Sequence, residues 1–251
     1  MSVGESRVSI VVPAYNEGEA IRPFLEKVRK TVTLPFELLV VVDTPDDTTL
    51  PVVAELASID ARIKGVVNTH GRGPAQAIRY GFDVACAPTV VVTMADGSDD
   101  PRQIDALTEL VERGVVVAAG SRYMAGGQQI GGPRLKRMLS RIAGTSLHLF
   151  ASIGTRDATN SFKAYNADFV REVTIQSRDG FEIGLELTAK ARRARLPVAE
   201  LPTIWLDRTT GQSNFQLRSW IPKYLRWYFF AFGRPLPTGH IKDAAAAREG
   251  K

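Results

Sequence analysis

Val8-Ser9-Ile10-Val11-Val12-Pro13-Ala14-Tyr15-Asn16-Glu17 opens the chain with a β-branched run that stops at a proline and turns polar. An apolar run this continuous predicts a strand covered on both faces, because a half-exposed strand would alternate. The signature returns at Leu38 to Val42, Ile63 to Val67, Val90 to Thr93 and Val115 to Ala119. Helical periodicity fills the gaps, over Glu19 to Val32, Thr48 to Ser58, Pro74 to Ala85 and Gln103 to Arg113. Such alternation predicts an α/β fold, a Rossmann-like, mostly parallel sheet with helices on both faces. Ligands of these sheets bind beyond the carboxyl ends of the strands, so the residues just past each run matter most.

After Gly120 the pattern changes. A loop with Gly126, Gly127, Gly131 and Gly132 leads into a predicted helix from about Leu135 to Ile153. A strand at Phe162 to Tyr165, a helix at Ile183 to Arg195 and a strand at Val198 to Trp205 follow, then an amphipathic aromatic helix near Leu217 to Ala231. Pro235, Pro237 and Gly239 break structure beyond it, which predicts a frayed tail over 235–251.

With 251 residues and 44% hydrophobic content, the chain can bury a core without staples, and the single Cys86 has no internal disulfide partner. No charged, apolar and small-residue leader precedes the first strand, which predicts a cytoplasmic protein. A net charge of +5 favours anionic partners. The cations fall in three groups: Arg134, Lys136, Arg137 and Arg141; Lys190 to Arg195; and Arg218, Lys223, Arg226 and Arg234. Aromatic platforms are missing from the first 200 residues, which disfavours nucleic acid. No run reaches the roughly 18–20 apolar residues of a membrane span. Trp220 to Phe232 mixes aromatics with Lys223 and Arg226, which suits either peripheral contact with an inner membrane face or packing on the protein or a second subunit.

Four strand ends carry acidic or amide groups: Asn16 and Glu17, Asp43, Asn68, and Asp96. Asp47, Thr48 and Asp100 suit turn or helix capping. Asp43 and Asp96 emerge directly from strands into the expected crevice. There is no G-x-G-x-x-G turn, no G-x-x-x-x-G-K-[ST] loop, no paired His or Cys and no G-x-S-x-G elbow. Hydride transfer, P-loop hydrolysis, zinc chemistry and serine hydrolysis are therefore disfavoured.

Val11-Val12-Pro13-Ala14-Tyr15-Asn16-Glu17, Asp43, Asn68-x-x-Gly71-Arg72-Gly73, the Asp96 loop and Gly120-Ser121-Arg122-Tyr123 resemble the motifs of family 2 glycosyltransferases with the GT-A fold. Lys136-Arg137-x-x-Ser140-Arg141, Asp157-x-x-Asn160-Ser161-Phe162-Lys163-Ala164-Tyr165, Gly180-Phe181-Glu182 and Asp207-Arg208-x-x-Gly211-x-Ser213 narrow the resemblance to dolichyl- or polyprenyl-phosphate mannose and glucose synthases. It implies one domain over 1–234, with a nucleotide-binding half at 7–120, an acceptor half at 121–216 and the amphipathic helix at 217–234. Pro13, Tyr15, Glu17, Asp43 and Gly73 would bind the nucleoside of a GDP- or UDP-hexose, and Arg208 and Ser213 would close over its diphosphate. Asp96, with Ser98, would hold Mg²⁺ or Mn²⁺. Arg122, Arg137, Ser140, Arg141 and Ser161 would hold the phosphate of a polyprenyl acceptor, with Asp157 beside them.

The resemblance implies inverting, metal-assisted transfer, with Asp96, Arg122, Arg137 and Asp157 as the catalytic set. A guanidinium can hold two phosphate oxygens at once, which suits the arginines. One departure stands out: Met94 occupies the first position of the usual Asp-x-Asp, with Asp99 nearby as a compensating group. A phosphate nucleophile is already anionic at neutral pH, whereas a hydroxyl acceptor would need a base, for which Asp157, Glu182 and Glu186 are the candidates. Glu182 and Glu186 share one helix face, which a solvated surface would also explain. A hydroxyl of a soluble or glycan acceptor, and an inactive nucleotide-sugar-binding scaffold, are the competing functions. Donor identity and a homo-oligomeric state stay open.

Overall fold

A computed structural model describes residues 6–207 and 217–236. The five expected runs form β1 (Val8–Pro13), β2 (Phe36–Val42), β3 (Ile63–Val67), β4 (Thr89–Val92) and β5 (Val117–Ser121). Between them stand α1 (Arg22–Thr31), α2 (Thr49–Ile59), α3 (Pro74–Val84) and α4 (Ile104–Glu112). Pro23 and Pro101 lack an amide donor, and both α1 and α4 are entered through a short 3₁₀ turn rather than as one continuous helix.

Beyond β5 the chain adds β6 (Gln128–Ile130), α5 (Arg134–Ala151), β7 (Lys163–Asn166), α6 (Ala167–Glu172), α7 (Glu182–Arg193), β8 (Val198–Pro202), β9 (Ile204–Leu206) and α8 (Leu217–Ala231). The seven-stranded sheet runs β3-β2-β1-β4-β7-β5-β8, with β7 antiparallel to both neighbours and the remaining pairs parallel. The expected strand over Val198 to Trp205 is two strands. Its break is Thr203, whose N–H donates to the Ser121 carbonyl, and β9 leaves the main sheet to pair with β6.

Alternate residues of the buried strands feed two cores. Ile10, Val12, Leu38, Val40 and Val42 pack with α1, α2 and α4 on one face. Val11, Leu39, Val41, Val90 and Val92 pack with α3, α6 and α7 on the other. A third cluster joins Leu147 and Ala151 of α5, Leu185 and Ala189 of α7, and Trp227 and Ala231 of α8. The close approach of α5 requires Gly144, where a Cβ would lie 2.1 Å from the Arg156 carbonyl oxygen. That contact sets α5 over the 156–160 loop, at the carboxyl end of β5.

Candidate active site

At one end of the crevice, Asp43 follows β2 and organises the loop after β3. Its Oδ2 accepts from the Gly73 N–H at 2.8 Å and its Oδ1 from Asn68 Nδ2 at 3.2 Å. Asn68 in turn bonds the Gly71 carbonyl and accepts from the His70 N–H. Gly73 sits at φ +104°, and a Cβ there would lie 3.0 Å from the Asp179 carbonyl, so a side chain is excluded twice over. Each Asp43 oxygen accepts one N–H from the protein and retains capacity for another. Pro13 is buried at the end of β1, Glu17 is half-buried, and Tyr15 is 64% exposed at the rim. Asp47 is a loop brace, as expected: it accepts from the N–H groups of Asn16 and Thr49. Asp100 likewise accepts from the Arg102 N–H.

The turn after β4 concentrates negative charge. Asp96 Oδ1 accepts from the Ser98 N–H at 3.0 Å. Asp99 is 2% exposed, and its Oδ2 accepts from the Thr93 hydroxyl and from the Met94 N–H, both at 3.1 Å. Burial, with Asp96 beside it, pushes the Asp99 carboxyl up to about 7, against the pull of the Met94 amide, the Thr93 hydroxyl and Arg122. The Ser98 hydroxyl and Asp99 Oδ1 are enclosed and have no hydrogen-bond partner in the fold. Oxygen donors left this way fit a hard divalent cation. Among the described residues no three His, Cys, Asp or Glu side chains converge, so a metal here would also need oxygens of the donor diphosphate.

Facing this turn, β5 delivers Arg122 to a buried ion pair. Asp157 Oδ2 accepts from Arg122 Nε at 2.7 Å and from its backbone N–H at 2.9 Å, and Oδ1 accepts from the second guanidinium nitrogen at 2.8 Å. Burial opposes the charge on Arg122, but Asp157 outweighs it and holds the guanidinium above its ordinary range. The same guanidinium reaches Ser140 Oγ of α5 at 3.3 Å, and Ser140 pairs with the Thr159 hydroxyl at 2.6 Å. Lys163 lies wholly buried nearby, donating to the carbonyls of Ala158 and Asn160. Burial pushes its ammonium down to about 7, with Asp157 opposing and Arg122 adding to the shift.

This arrangement corrects three expectations. Asp157 is no free base, because it is wholly buried and both its oxygens are tied to the Arg122 guanidinium. Glu186 is not one either: it accepts from the N–H groups of Gln176 and Ser177 and pairs with Lys190. The solvated-face explanation for Glu182 and Glu186 fails with it, since both are buried beneath the 174–179 loop. Glu182 accepts from the Asp179 N–H and keeps Oε2 without a partner in the fold.

Ser161 lines a small cavity with Ile78, Phe82 and Ile183. Arg137 is half-buried and Arg141 exposed, and neither has an ion-pair partner among the described residues. Arg208 and Ser213 lie outside the described residues. The chain enters that segment at Asp207, just after Leu206, whose N–H donates to the Ser98 carbonyl. Sequence reasoning missed Thr159, which only the approach of α5 to the 156–160 loop brings to Ser140.

A model of glycosyl transferase family 2 matches residues 9–174. The chain is 29% identical over 214 residues to the polyprenol monophosphomannose synthase of Mycolicibacterium smegmatis, covering 83% of this chain and 80% of that one. Against the undecaprenyl-phosphate mannosyltransferase of Micrococcus luteus it is 28% identical over 213 residues, covering 83% and 87%. In fold it is similar to the Mycobacterium tuberculosis glucosyl-3-phosphoglycerate synthase solved with Mn²⁺, UDP and glucosyl-3-phosphoglycerate, with a TM-score of 0.64, 17% identity and coverage of 94% and 86%. It is also similar to a Pyrobaculum calidifontis mannosyltransferase solved with GDP-Man and Mn²⁺, with a TM-score of 0.59, 16% identity and coverage of 98% and 76%. Strand order, crevice and family model agree: the chain belongs to glycosyl transferase family 2, on a GT-A-like fold.

Proposed function

We propose that the protein transfers a hexose from a nucleotide sugar to a polyprenyl phosphate, with inversion at the anomeric carbon. The observation that carries the choice of acceptor is the occupied state of Asp157. A hydroxyl nucleophile needs a carboxylate ready to take its proton. The carboxylate nearest the acceptor side instead holds Arg122 rigid, with Ser140 attached. A phosphate monoester is largely dianionic at neutral pH and needs positioning and cationic partners, which Arg122, Arg137 and Arg141 offer. In a single displacement, a phosphate oxygen of the acceptor forms the bond to the anomeric carbon as the bond to the nucleoside diphosphate breaks on the opposite face. Mg²⁺ or Mn²⁺ at Asp96 and Ser98, when bound with the donor, would neutralise the charge growing on the leaving diphosphate.

Helix α5 supports a lipid acceptor. Arg137, Ser140, Gly144, Leu147 and Ala151 fall on its inward face by helical spacing. Leu135, Met138, Leu139, Ile142, Leu149 and Phe150 form the opposite stripe, each 40–76% exposed. Ile221, Leu225, Phe229 and Phe232, on or just after α8, are exposed too, while Trp227 and Ala231 pack α8 onto the protein. Apolar stripes flanked by Arg134, Lys136 and Arg141 suit the surface of an anionic membrane, here the cytoplasmic one. No helix among the described residues is long and apolar enough to cross a membrane.

One observation favours a second reading. Glu182 keeps an unpartnered buried oxygen that could serve a hydroxyl acceptor. Transfer from labelled GDP- and UDP-hexoses to polyprenyl phosphate, compared with transfer to the matching polyprenol, separates the two. Product with the phosphate alone is the expected outcome. Product with polyprenol, abolished by Glu182→Gln, would overturn the phosphate reading.

A further inference from the structure

We infer that Asp99 supplies the carboxylate that Met94 lacks, so that a divalent cation bound with the donor is held by Asp96 and Asp99 together. This rests on the crevice binding a nucleotide sugar with such a cation. The turn brings a carboxylate to the backbone of position 94: Asp99 folds back until its Oδ2 accepts the Met94 N–H at 3.1 Å. The Thr93 hydroxyl fixes the same oxygen, which orients the carboxylate.

Asp99 Oδ1 is left buried without a partner, and so is the hydroxyl of Ser98, the residue between the two carboxylates' neighbourhoods in the turn. Ser98 is itself tied to Asp96 through its N–H. Three kinds of oxygen thus meet in one turn: a half-buried carboxylate, a buried carboxylate with an open oxygen, and a buried open hydroxyl. Two carboxylates this close repel, and Arg122, the cation that acts on Asp99, is paired with Asp157 through its Nε and one terminal nitrogen. Asp100, next in the chain, is neutralised by Arg102 and Lys27 and adds nothing to the site. A hard cation satisfies the open oxygens and the repulsion together.

The test is Mn²⁺ binding to the full chain, followed by the EPR signal of free Mn²⁺, with GDP or UDP present. Nucleotide binding without metal is read separately as a shift in Tm. Asp99→Asn keeps the size of the side chain and an oxygen that can accept from Thr93 and Met94. We expect it to weaken Mn²⁺ about tenfold or more, as Asp96→Asn does, and to leave the metal-free nucleotide shift unchanged. Asp99→Asn combined with Met94→Asp regains most of the lost affinity. Met94→Asp alone, which leaves Asp99 untouched, gains no more than about threefold if Asp99 already fills the role, and about tenfold or more if it does not. Mn²⁺ affinity in Asp99→Asn equal to wild type would overturn the inference, as would a large gain in Met94→Asp. Nucleotide binding by a wild type that takes no Mn²⁺ overturns it too, and leaves the donor site standing. A protein whose Tm responds to no nucleotide, with or without metal, overturns the donor site itself.

Discussion

The two sides of the crevice use carboxylates in opposite ways. On the proposed donor side, Asp43 and Asp99 are held by backbone N–H groups, the Asn68 amide and the Thr93 hydroxyl, and each retains capacity for a further partner, while Asp96 accepts from the Ser98 N–H. On the proposed acceptor side, Asp157 is enclosed and both its oxygens are tied to Arg122. Negative charge on the donor side is available to a cation or a base edge. Negative charge on the acceptor side is a brace, and what it presents is the arginine. A transferase that moves sugar from a diphosphate to a phosphate has these two needs, one at each end.

The sharpest way to break this contrast is Asp157→Asn. Removing one partner of a buried pair strands the other charge, and the expected loss is about 3–5 kcal/mol in denaturant unfolding. Transfer should fall with it, because Arg122 loses its orientation along with its partner. An Asp157→Asn protein as stable as wild type would mean that Arg122 is braced elsewhere, and the two sides would no longer differ. Asp96→Asn probes the proposed donor side, at a carboxylate that is only half-buried. Here kcat should fall by about 10²–10³ while the unfolding midpoint stays near wild type. Rate and stability thus separate on the donor side and move together on the acceptor side.

Arg137→Ala is expected to do less. It removes one charge-assisted contact to the acceptor phosphate, about 1.5–3 kcal/mol, or roughly 10- to 100-fold in kcat/KM for polyprenyl phosphate. The Tm shift produced by the donor nucleotide should not change. A fall in nucleotide binding instead would move Arg137 to the donor side.

The same contrast explains what the sequence made legible. Runs such as Leu38 to Val42 declare themselves because burial on both faces permits little but β-branched and aliphatic residues. The proposed donor residues Asp43 and Asp96 follow those runs, so their place beyond the strand ends could be read from position alone. On the acceptor side the decisive contacts are made between distant segments. Asp157 was legible as a residue of the site but not as the brace of Arg122, 35 positions away. Glu182 and Glu186 have the spacing of a solvated face, and only the fold of the 174–179 loop over them shows otherwise. β7 carries no mark of its antiparallel direction, and Gln128-Gln129-Ile130 is too short and polar to announce β6. Helix α5 hid its orientation too, since Leu147 and Leu149 look alike in sequence while one is buried and the other exposed.

Lys163 offers the smallest effect and the finest distinction, because it decides whether the acceptor side carries one cation or two around Asp157. Burial pushes its ammonium from 10.5 down to about 7. Below pH 7 both folded and unfolded chains hold the proton, and the folded chain bears the cost of an enclosed cation. Between pH 7 and 10.5 the unfolded chain holds a proton that the folded one has released, so this residue's contribution to stability rises with pH. Lys163→Met removes the titration and leaves the Ala158 and Asn160 carbonyls without their donor, a cost that does not vary with pH. Urea unfolding of both proteins at pH 6 and pH 8 therefore isolates the ionisation. The wild type should gain on the variant by about 1.4 kcal/mol between the two, since one pH unit lies inside the window and is worth up to about that much. A flat difference would mean that Lys163 stays charged, held by Asp157 and the two carbonyls against its burial. The acceptor side would then present an anion with two fixed cations about one carboxylate, a net positive charge that the donor side nowhere has.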